Sequence, residues 1–81
     1  MKIYVKIYAT LRRYVPNSAD IMRPEGWEVA DGSTVEELMA SLKFPESLRT
    51  LALINGAHCK DKATPLKDGD TLMLYPLMSG G

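Results

Sequence analysis

The residues best suited to chemistry in this 81-residue chain are its last three, Ser79, Gly80 and Gly81. Glycine lacks a Cβ, so a diglycine passes through narrow channels and accepts unusual backbone angles. Ordering glycine has a high entropic cost, which would bring no advantage to a tail with only a structural role. Fully extended, residues 76–81 span roughly 20 Å at ~3.3–3.6 Å per residue, enough to enter another protein's active site. This pattern favours a Gly81 carboxylate that a partner activates; the plainer alternative is a frayed chain end.

The other reactive side chains indicate structural roles. Cys59 is the only cysteine and His58 the only histidine, which excludes an internal disulfide and leaves a zinc site or a catalytic triad unsupported. Cys59 falls in a predicted strand and is interpreted as a small hydrophobic residue. Glu36 and Glu37 lie in the first turn of a predicted helix, where they complement the helix dipole. No metal site is predicted.

Composition indicates one small globular domain, with 46% hydrophobic and 25% charged residues. Ten basic residues balance ten acidic ones. Because the two signs are interspersed along the chain, we expect no strong field that would attract nucleic acid or a membrane. The alternating N-terminus shows no signal peptide or membrane span, and a single cysteine suits a reducing compartment, so a cytoplasmic location is expected.

Several segments have the pattern of strands. In residues 2–8 apolar and polar positions alternate, which predicts a strand with one buried face. Asn55-Gly56 is the strongest two-residue hairpin signal, because a type I′ turn needs positive φ at both positions. Pro76 has no amide hydrogen and is expected to end the last strand. The predicted strands are residues 2–8, 27–29, 51–54, 57–60 and 71–75.

One amphipathic helix is predicted after Thr34. Thr34 and Glu37 have the spacing of a capping box, with Ser33 and Glu36 as a competing register. The apolar residues that follow recur at helical spacing over about ten residues, up to Phe44-Pro45. Residues 10–24 are expected to form a long connection with one helical turn at Leu11–Tyr14.

These elements predict an α+β fold of the β-grasp type. A lone helix with one apolar stripe and several half-apolar strands bury each other only if the helix crosses one face of the sheet. We therefore expect a mixed sheet of four to five strands with one main helix packed across one face. Residues 1–75 would form this domain and residues 76–81 a flexible diglycine tail.

The outward face of this sheet is a candidate docking surface. If Leu72 and Leu74 point into the core, Met73 and Tyr75 point outward, beside tyrosines of the first strand. Exposed Met and Tyr are frequent at interfaces, although they also occur singly on wet sheet faces. Leu77 and Met78 have little core to pack against in a tail. The predicted partner-binding residues are Tyr4, Met73, Tyr75, Leu77, Met78 and Ser79, with Tyr8 as a possible neighbour.

In order and spacing, the motifs closely resemble those of the MoaD and ThiS family of ubiquitin-like sulfur carriers, over nearly the whole chain. The motifs are the first strand running into Ala9-Thr10-Leu11-Arg12, then residues 31–38, Ile54-Asn55-Gly56, residues 65–70, and Ser79-Gly80-Gly81. Length and tail are more similar to MoaD, the small subunit of molybdopterin synthase, than to ThiS. The chain departs from the pattern at Leu77, where many MoaD-like tails have a second proline, and in the longer connection 16–26.

The resemblance implies a carrier protein rather than an enzyme. An adenylating enzyme similar to MoeB or ThiF would use ATP to attach AMP to Gly81, and a sulfur donor would displace AMP to leave a thiocarboxylate. The tail, with Gly80, would then enter a MoaE-like large subunit and donate sulfur in molybdopterin synthesis. No cofactor is expected to be bound permanently, and neither nucleic acid nor membrane is an expected partner.

Three other functions remain open at this stage. A ThiS-like protein would deliver sulfur to the thiazole of thiamin. A ubiquitin-like modifier would join the activated Gly81 to lysines of other proteins. A plain interaction module would use the sheet face alone.

Overall fold

The computed structural model describes residues 1–44 and 50–77, which form a five-stranded sheet with strand order β2-β1-β5-β3-β4. The strands are β1 (Lys2–Ile7), β2 (Trp27–Glu28), β3 (Thr50–Ile54), β4 (Ala57–His58) and β5 (Thr71–Pro76). β1 and β5 pair in parallel at the centre, and the other neighbours are antiparallel. The mixed sheet confirms the predicted β-grasp fold.

The main helix, α2 (Val35–Ser41), packs its apolar stripe against one face of the sheet. Val35, Leu38 and Leu42 are buried in the same cluster as Ile3, Val5 and Ile7 of β1, Leu72 and Leu74 of β5, and Ala52 of β3. Alternate residues of each strand therefore face the helix, as a pleated strand requires. The opposite face of the sheet has no helix over it among the described residues.

The helix begins where the capping box predicts. Thr34 Oγ1 accepts a hydrogen bond from the Glu37 amide at 3.1 Å, and Glu37 Oε1 accepts one from the Thr34 amide at 3.0 Å. The competing Ser33 and Glu36 register is not used, because Ser33 Oγ donates to the Ala30 carbonyl instead. The helix is shorter than the predicted ten residues: Lys43 has φ of +60°, which ends it. The predicted stop at Pro45 lies outside the described residues.

The connection between β1 and β2 is more ordered than predicted. It contains a 3-10 helix (Ala9–Tyr14) where one turn was expected, and a short helix α1 (Ser18–Ile21). Leu11, Val15 and Ile21 are buried, so this segment extends the core. The Met22 thioether accepts a hydrogen bond from the Ile7 amide at 3.2 Å, and its segment thereby covers part of the open edge of β1.

Asn55 joins the β3–β4 hairpin to the start of β5. Asn55 and Gly56 have φ of +53° and +88°, as the predicted type I′ turn requires. The Asn55 side chain also donates to Asp70 Oδ1 at 2.8 Å and accepts from the Thr71 amide at 2.9 Å. Across the described ranges, no helix has the length and apolar character needed to span a membrane.

Candidate partner-binding site

The predicted tail leaves the sheet from its central strand. β5 runs parallel to β1, so the two strands end side by side, and the Tyr8 amide donates to the Leu74 carbonyl at 2.9 Å. The 3-10 helix that follows β1 contacts β5 at the same end. We call this end of the sheet the tail-root end.

Pro76 lies one position deeper in the sheet than predicted, because it is the last residue of β5 and pairs with Thr50 of β3. A proline lacks only the amide donor, so it is tolerated at the last position of a strand. Leu77 follows it, with 46% of its surface exposed. An exposed leucine directly beside the tail root fits the prediction that Leu77 contacts a partner.

Three of the predicted partner-binding residues share the outward face of the sheet. Tyr4 is 36% exposed, and the half-buried Met73 and Tyr75 alternate along β5 with the buried Leu72 and Leu74. The Tyr75 ring stacks on the Tyr8 ring, with centroids 4.5 Å apart and planes within 7° of parallel. The sheet thus brings these residues together, and their role in binding stays a prediction.

Two leucines of β3 belong to this face and were not predicted. Leu53 pairs with Met73 and Leu51 with Tyr75, and directly opposed residues point to the same side of a sheet. In sequence, Leu51–Ile54 is continuously apolar, so alternation gave no sign of which residues face outward. The strand register supplies this information. Ala52 pairs with the buried Leu74 and faces the core, so Leu51 and Leu53 on either side of it face outward.

We define the outer-face patch by the apolar and aromatic residues of this surface. Its members are Tyr4, Tyr8, Leu51, Leu53, Met73 and Tyr75. A group of this kind is typical of a protein-protein interaction site. Most surface hydrophobes occur singly, whereas these residues are neighbours on three adjacent strands. Tyr75 of the patch lies at the tail-root end, two residues before Leu77.

The chain's other reactive side chains lie apart from the tail root or are held by local bonds. His58 pairs with Leu53 at the edge of the sheet. The half-buried Cys59 thiol donates to the Asp61 carbonyl at 3.1 Å, in keeping with the structural role expected of it. Within residues 1–44 and 50–77, no group of His, Cys, Asp or Glu side chains is arranged to hold a metal ion.

The predicted reactive group and part of the predicted docking segment lie outside the described residues. These are Met78, Ser79, Gly80 and Gly81. The structure does describe the chain up to Leu77: the end of the central strand β5 and the exposed Leu77 itself.

Comparison with known proteins supports the family resemblance. The family model described as the ThiS family matches residues 5–81, which is almost the whole chain and includes the diglycine. Among curated proteins, none matches the sequence significantly.

Two solved structures share the fold. The solution structure of the HVO 2177 protein of Haloferax volcanii has a TM-score of 0.70 at 24% identity, covering 100% of this chain and 87% of that chain. A complex of subunits 1 and 2 of the molybdopterin-converting factor from Helicobacter pylori contains a chain with a TM-score of 0.58 at 24% identity, with 100% of both chains covered. At this level of identity the likeness concerns the fold.

Proposed function

Because this chain belongs to the ThiS family of ubiquitin-like sulfur carriers, we propose that its Gly81 carboxylate carries sulfur as a thiocarboxylate. The observation that carries the proposal is the family match through residue 81, which includes both glycines of the tail. The tail-root end supports it, because the central strand β5 ends there and is followed by the exposed Leu77.

The proposed chemistry requires activation by another protein. A carboxylate repels nucleophiles, and oxide is a poor leaving group. In the first step the Gly81 carboxylate attacks the α-phosphate of ATP, which releases pyrophosphate and forms an acyl-adenylate. In the second step a sulfur nucleophile attacks the acyl carbon and AMP leaves. When the nucleophile is a persulfide, the product is an acyl disulfide; a second thiol then attacks the donor's sulfur, forms a disulfide with it and releases the Gly81 thiocarboxylate.

In these steps this chain presents its C-terminal carboxylate to the partner's active site and does not catalyse the reaction. No catalytic side chain is needed on the carrier, since the partner supplies ATP binding and the active site. The outer-face patch would dock on that partner, with Tyr4, Met73 and Tyr75 in the contact, while Leu77, Met78 and Ser79 would line the entry of the tail. We propose an adenylating enzyme similar to MoeB or ThiF as the activating partner.

For the sulfur acceptor we propose a molybdopterin precursor, delivered in complex with a MoaE-like large subunit. The tail sequence and chain length support this choice over the thiazole of thiamin. The fold shared with the molybdopterin-converting factor complex of H. pylori is compatible with it. A cytoplasmic location is part of the same proposal.

The test is intact mass spectrometry of the full chain after incubation with an adenylating enzyme, ATP and a sulfur donor. We expect the mass change of one oxygen replaced by one sulfur, located at Gly81 by fragmentation. Deletion of Gly81 is expected to abolish the change while leaving the urea unfolding curve unaltered. Gly32→Ala is the control: the added Cβ has no other group within 4 Å, and although the φ of +85° strains the backbone there, the change leaves both tail glycines in place, so the variant should still be charged.

Three other outcomes would contradict the proposal. A wild-type chain that stays unmodified with both MoeB-like and ThiF-like enzymes would exclude the carrier function. Ladders of conjugates that disappear without the diglycine would indicate a protein modifier. Partner binding that survives tail deletion but fails on Tyr75→Ala, together with no sulfur gained by the intact chain, would indicate a plain interaction module.

To choose between acceptors, the charged protein is added to a pterin precursor with a MoaE-like subunit, or to a thiazole-forming enzyme. Sulfur transfer in the second reaction alone would replace the molybdopterin assignment with thiamin synthesis and leave the carrier function standing.

A further inference from the structure

The turn between β3 and β4 contains a residue pair that can react with itself, Asn55-Gly56. The carbon of an asparagine carboxamide is a weak electrophile, and the nitrogen of the next residue can attack it. Glycine has no Cβ, so it leaves that nitrogen unobstructed. Both residues are exposed, and no group lies within 4 Å of the place that a Cβ on Gly56 would occupy. The turn therefore has room for this attack.

The Asn55 side chain is held by two hydrogen bonds to the residues around the start of β5. Its Nδ2 donates to Asp70 Oδ1 at 2.8 Å, and its Oδ1 accepts from the Thr71 amide at 2.9 Å. These partners fix which end of the carboxamide points where, because a carboxylate only accepts and a backbone amide only donates. Asp70 Oδ2 accepts in turn from the Lys67 amide at 2.8 Å. We call Asp70 and Thr71 the amide clamp.

We propose that Asn55 is a modification site, at which the chain slowly deamidates itself at a rate controlled by the amide clamp. The products loosen the β3–β4 hairpin from β5. The proposal concerns the hairpin alone and does not depend on the chemistry of the C-terminus.

The reaction uses only the chain and water. The Gly56 nitrogen loses its proton and bonds to Asn55 Cγ, which closes a five-membered succinimide ring. The bond from Cγ to Nδ2 breaks, and Nδ2 leaves with a proton as ammonia. Water then adds to one of the two ring carbonyl carbons and opens the ring. One opening gives aspartate at position 55, and the other gives isoaspartate.

The amide clamp opposes ring closure in the folded chain. Closure makes the planar Cγ tetrahedral and expels Nδ2, so the bonds to Asp70 and Thr71 must break before the amide is lost. The bond to the Asp70 carboxylate is charge-assisted and is the stronger of the two. We therefore expect the reaction to proceed when the turn opens away from β5, at a rate that reports this local opening.

Both products disturb the contact with β5. Aspartate accepts the positive φ of +53° at this position, but it has no donor for Asp70. It places a carboxylate oxygen where Nδ2 lay 2.8 Å from Asp70 Oδ1, so two like charges meet. Isoaspartate adds a carbon to the main chain of a two-residue turn, which disturbs the pairing of Ile54 with Ala57.

Other positions of the same chain serve as comparators. Asn17 is the only other asparagine; it is exposed and followed by Ser18, whose side chain hinders the attack. Asp31-Gly32 and Asp68-Gly69 have an unhindered glycine. An ionised carboxylate is a poorer electrophile than an amide, however, so Asn55 should be the most reactive of these positions in an unfolded chain.

The first experiment follows deamidation in the folded and the unfolded chain. The protein is incubated in mildly alkaline buffer with and without guanidinium chloride. Intact mass reports replacement of NH2 by OH, peptide mapping locates it, and enzymatic methylation detects isoaspartate. We expect product at Asn55 in both samples, with the folded chain slower by on the order of tenfold or more.

Three results of this experiment would overturn the proposal. In denaturant, Asn17 could react faster than Asn55. The folded chain could react at Asn55 as fast as the unfolded chain, which would mean that the clamp gives no protection. It could also show no product at Asn55 after prolonged incubation, in which case the folded protein would not be modified there.

The second experiment compares Asp70→Ala with Asp61→Ala. Each substitution removes one carboxylate that accepts a bond from a backbone amide, but only Asp70 also holds Asn55. In the folded chain, we expect Asp70→Ala to deamidate on the order of tenfold faster than the wild type, because a bond to a charged group is lost. Asp61→Ala should react at nearly the wild-type rate, and all three chains should react equally fast in denaturant. Equal folded-state rates for the two variants would overturn the proposal. If Asp70→Ala does not fold, Asp70→Asn replaces it; it keeps one carbonyl oxygen for two donors and should give a smaller increase.

The third experiment measures what the modification does to the fold. Asn55→Asp and Asn17→Asp add the same charge, and the Asn17 side chain makes no capping bond that the change could break. We expect Asn55→Asp to raise the equilibrium constant of unfolding on the order of tenfold, with little effect of Asn17→Asp. Equal stabilities would overturn the claim that deamidation loosens the hairpin. All three experiments use the chain alone, so a failure of sulfur transfer would leave their outcomes unchanged.

Discussion

Leu53 and Leu74 offer a matched test of which side of the sheet belongs to the core. Both are leucines in adjacent strands, and both are replaced by alanine. Leu74 is fully buried, with Ile7 and Ala52 as its strand partners. Leu53 is half-buried on the outer face, opposite Met73.

The expected destabilisation differs because only one substitution leaves a cavity. Leu74→Ala removes a fully enclosed side chain and should cost about 2–5 kcal/mol. Full burial of a leucine side chain stabilises a protein by ~1.5–3 kcal/mol. Leu53 is only half-buried, so Leu53→Ala should cost about 1 kcal/mol. Small domains have a free energy of unfolding of roughly 5–15 kcal/mol, so Leu74→Ala should remove a large share of this protein's stability.

Urea unfolding followed by Trp27 fluorescence measures both values, and thermal unfolding checks them. At about 4–8 °C per kcal/mol for a domain of this size, the two Tm values should be separated by roughly 5 °C or more. In the charging assay, Leu53→Ala should raise KM for the adenylating enzyme while the protein stays folded. Equal destabilisation by the two substitutions would refute the reasoning, because the outer-face patch would then be covered by the chain itself.

Two further substitutions test local geometry. Thr34→Ala removes the hydroxyl of the capping box and should lower the free energy of unfolding by about 1 kcal/mol, whereas Thr34→Ser should retain most of it; equal losses in denaturant titrations would mean that the bond to the Glu37 amide contributes nothing. Gly26→Ala should destabilise by roughly 1–3 kcal/mol more than Gly32→Ala, because both glycines have positive φ but only at Gly26 would a Cβ lie 3.0 Å from the Ile3 carbonyl oxygen. Similar thermal shifts for the two alanine variants would contradict that steric argument.

Local sequence signals predicted most elements because each depends on near neighbours. The capping box needs only Thr34 and Glu37, and the hairpin needs only Asn55 and Gly56, so both were placed correctly. The helix end was missed by a few residues, since the positive φ of Lys43 is not a strong preference of lysine. Ile21 and Met22 had no predictable place, because their partners, Trp27 and Ile7, lie in other elements.

Some residues of the candidate site could likewise be predicted from local sequence, and others could not. Tyr4, Met73, Tyr75 and Leu77 were predicted from alternation and from the strand stop at Pro76. Leu51 and Leu53 were not, because a continuous apolar run does not reveal which residues face outward until the strand register is known.

By itself, the sequence determined most of the elements, the fold class and the family, because periodicity, caps and turns act over a few residues and the family motifs follow one another in a fixed order. Tertiary structure decided which side chains share a surface. Pairing β5 with both β1 and β3 brought residues far apart in the chain into one patch, and the parallel pairing of β1 with β5 brought the 3-10 helix into contact with β5. Proximity of this kind follows from strand register and chain direction, which a linear pattern does not contain.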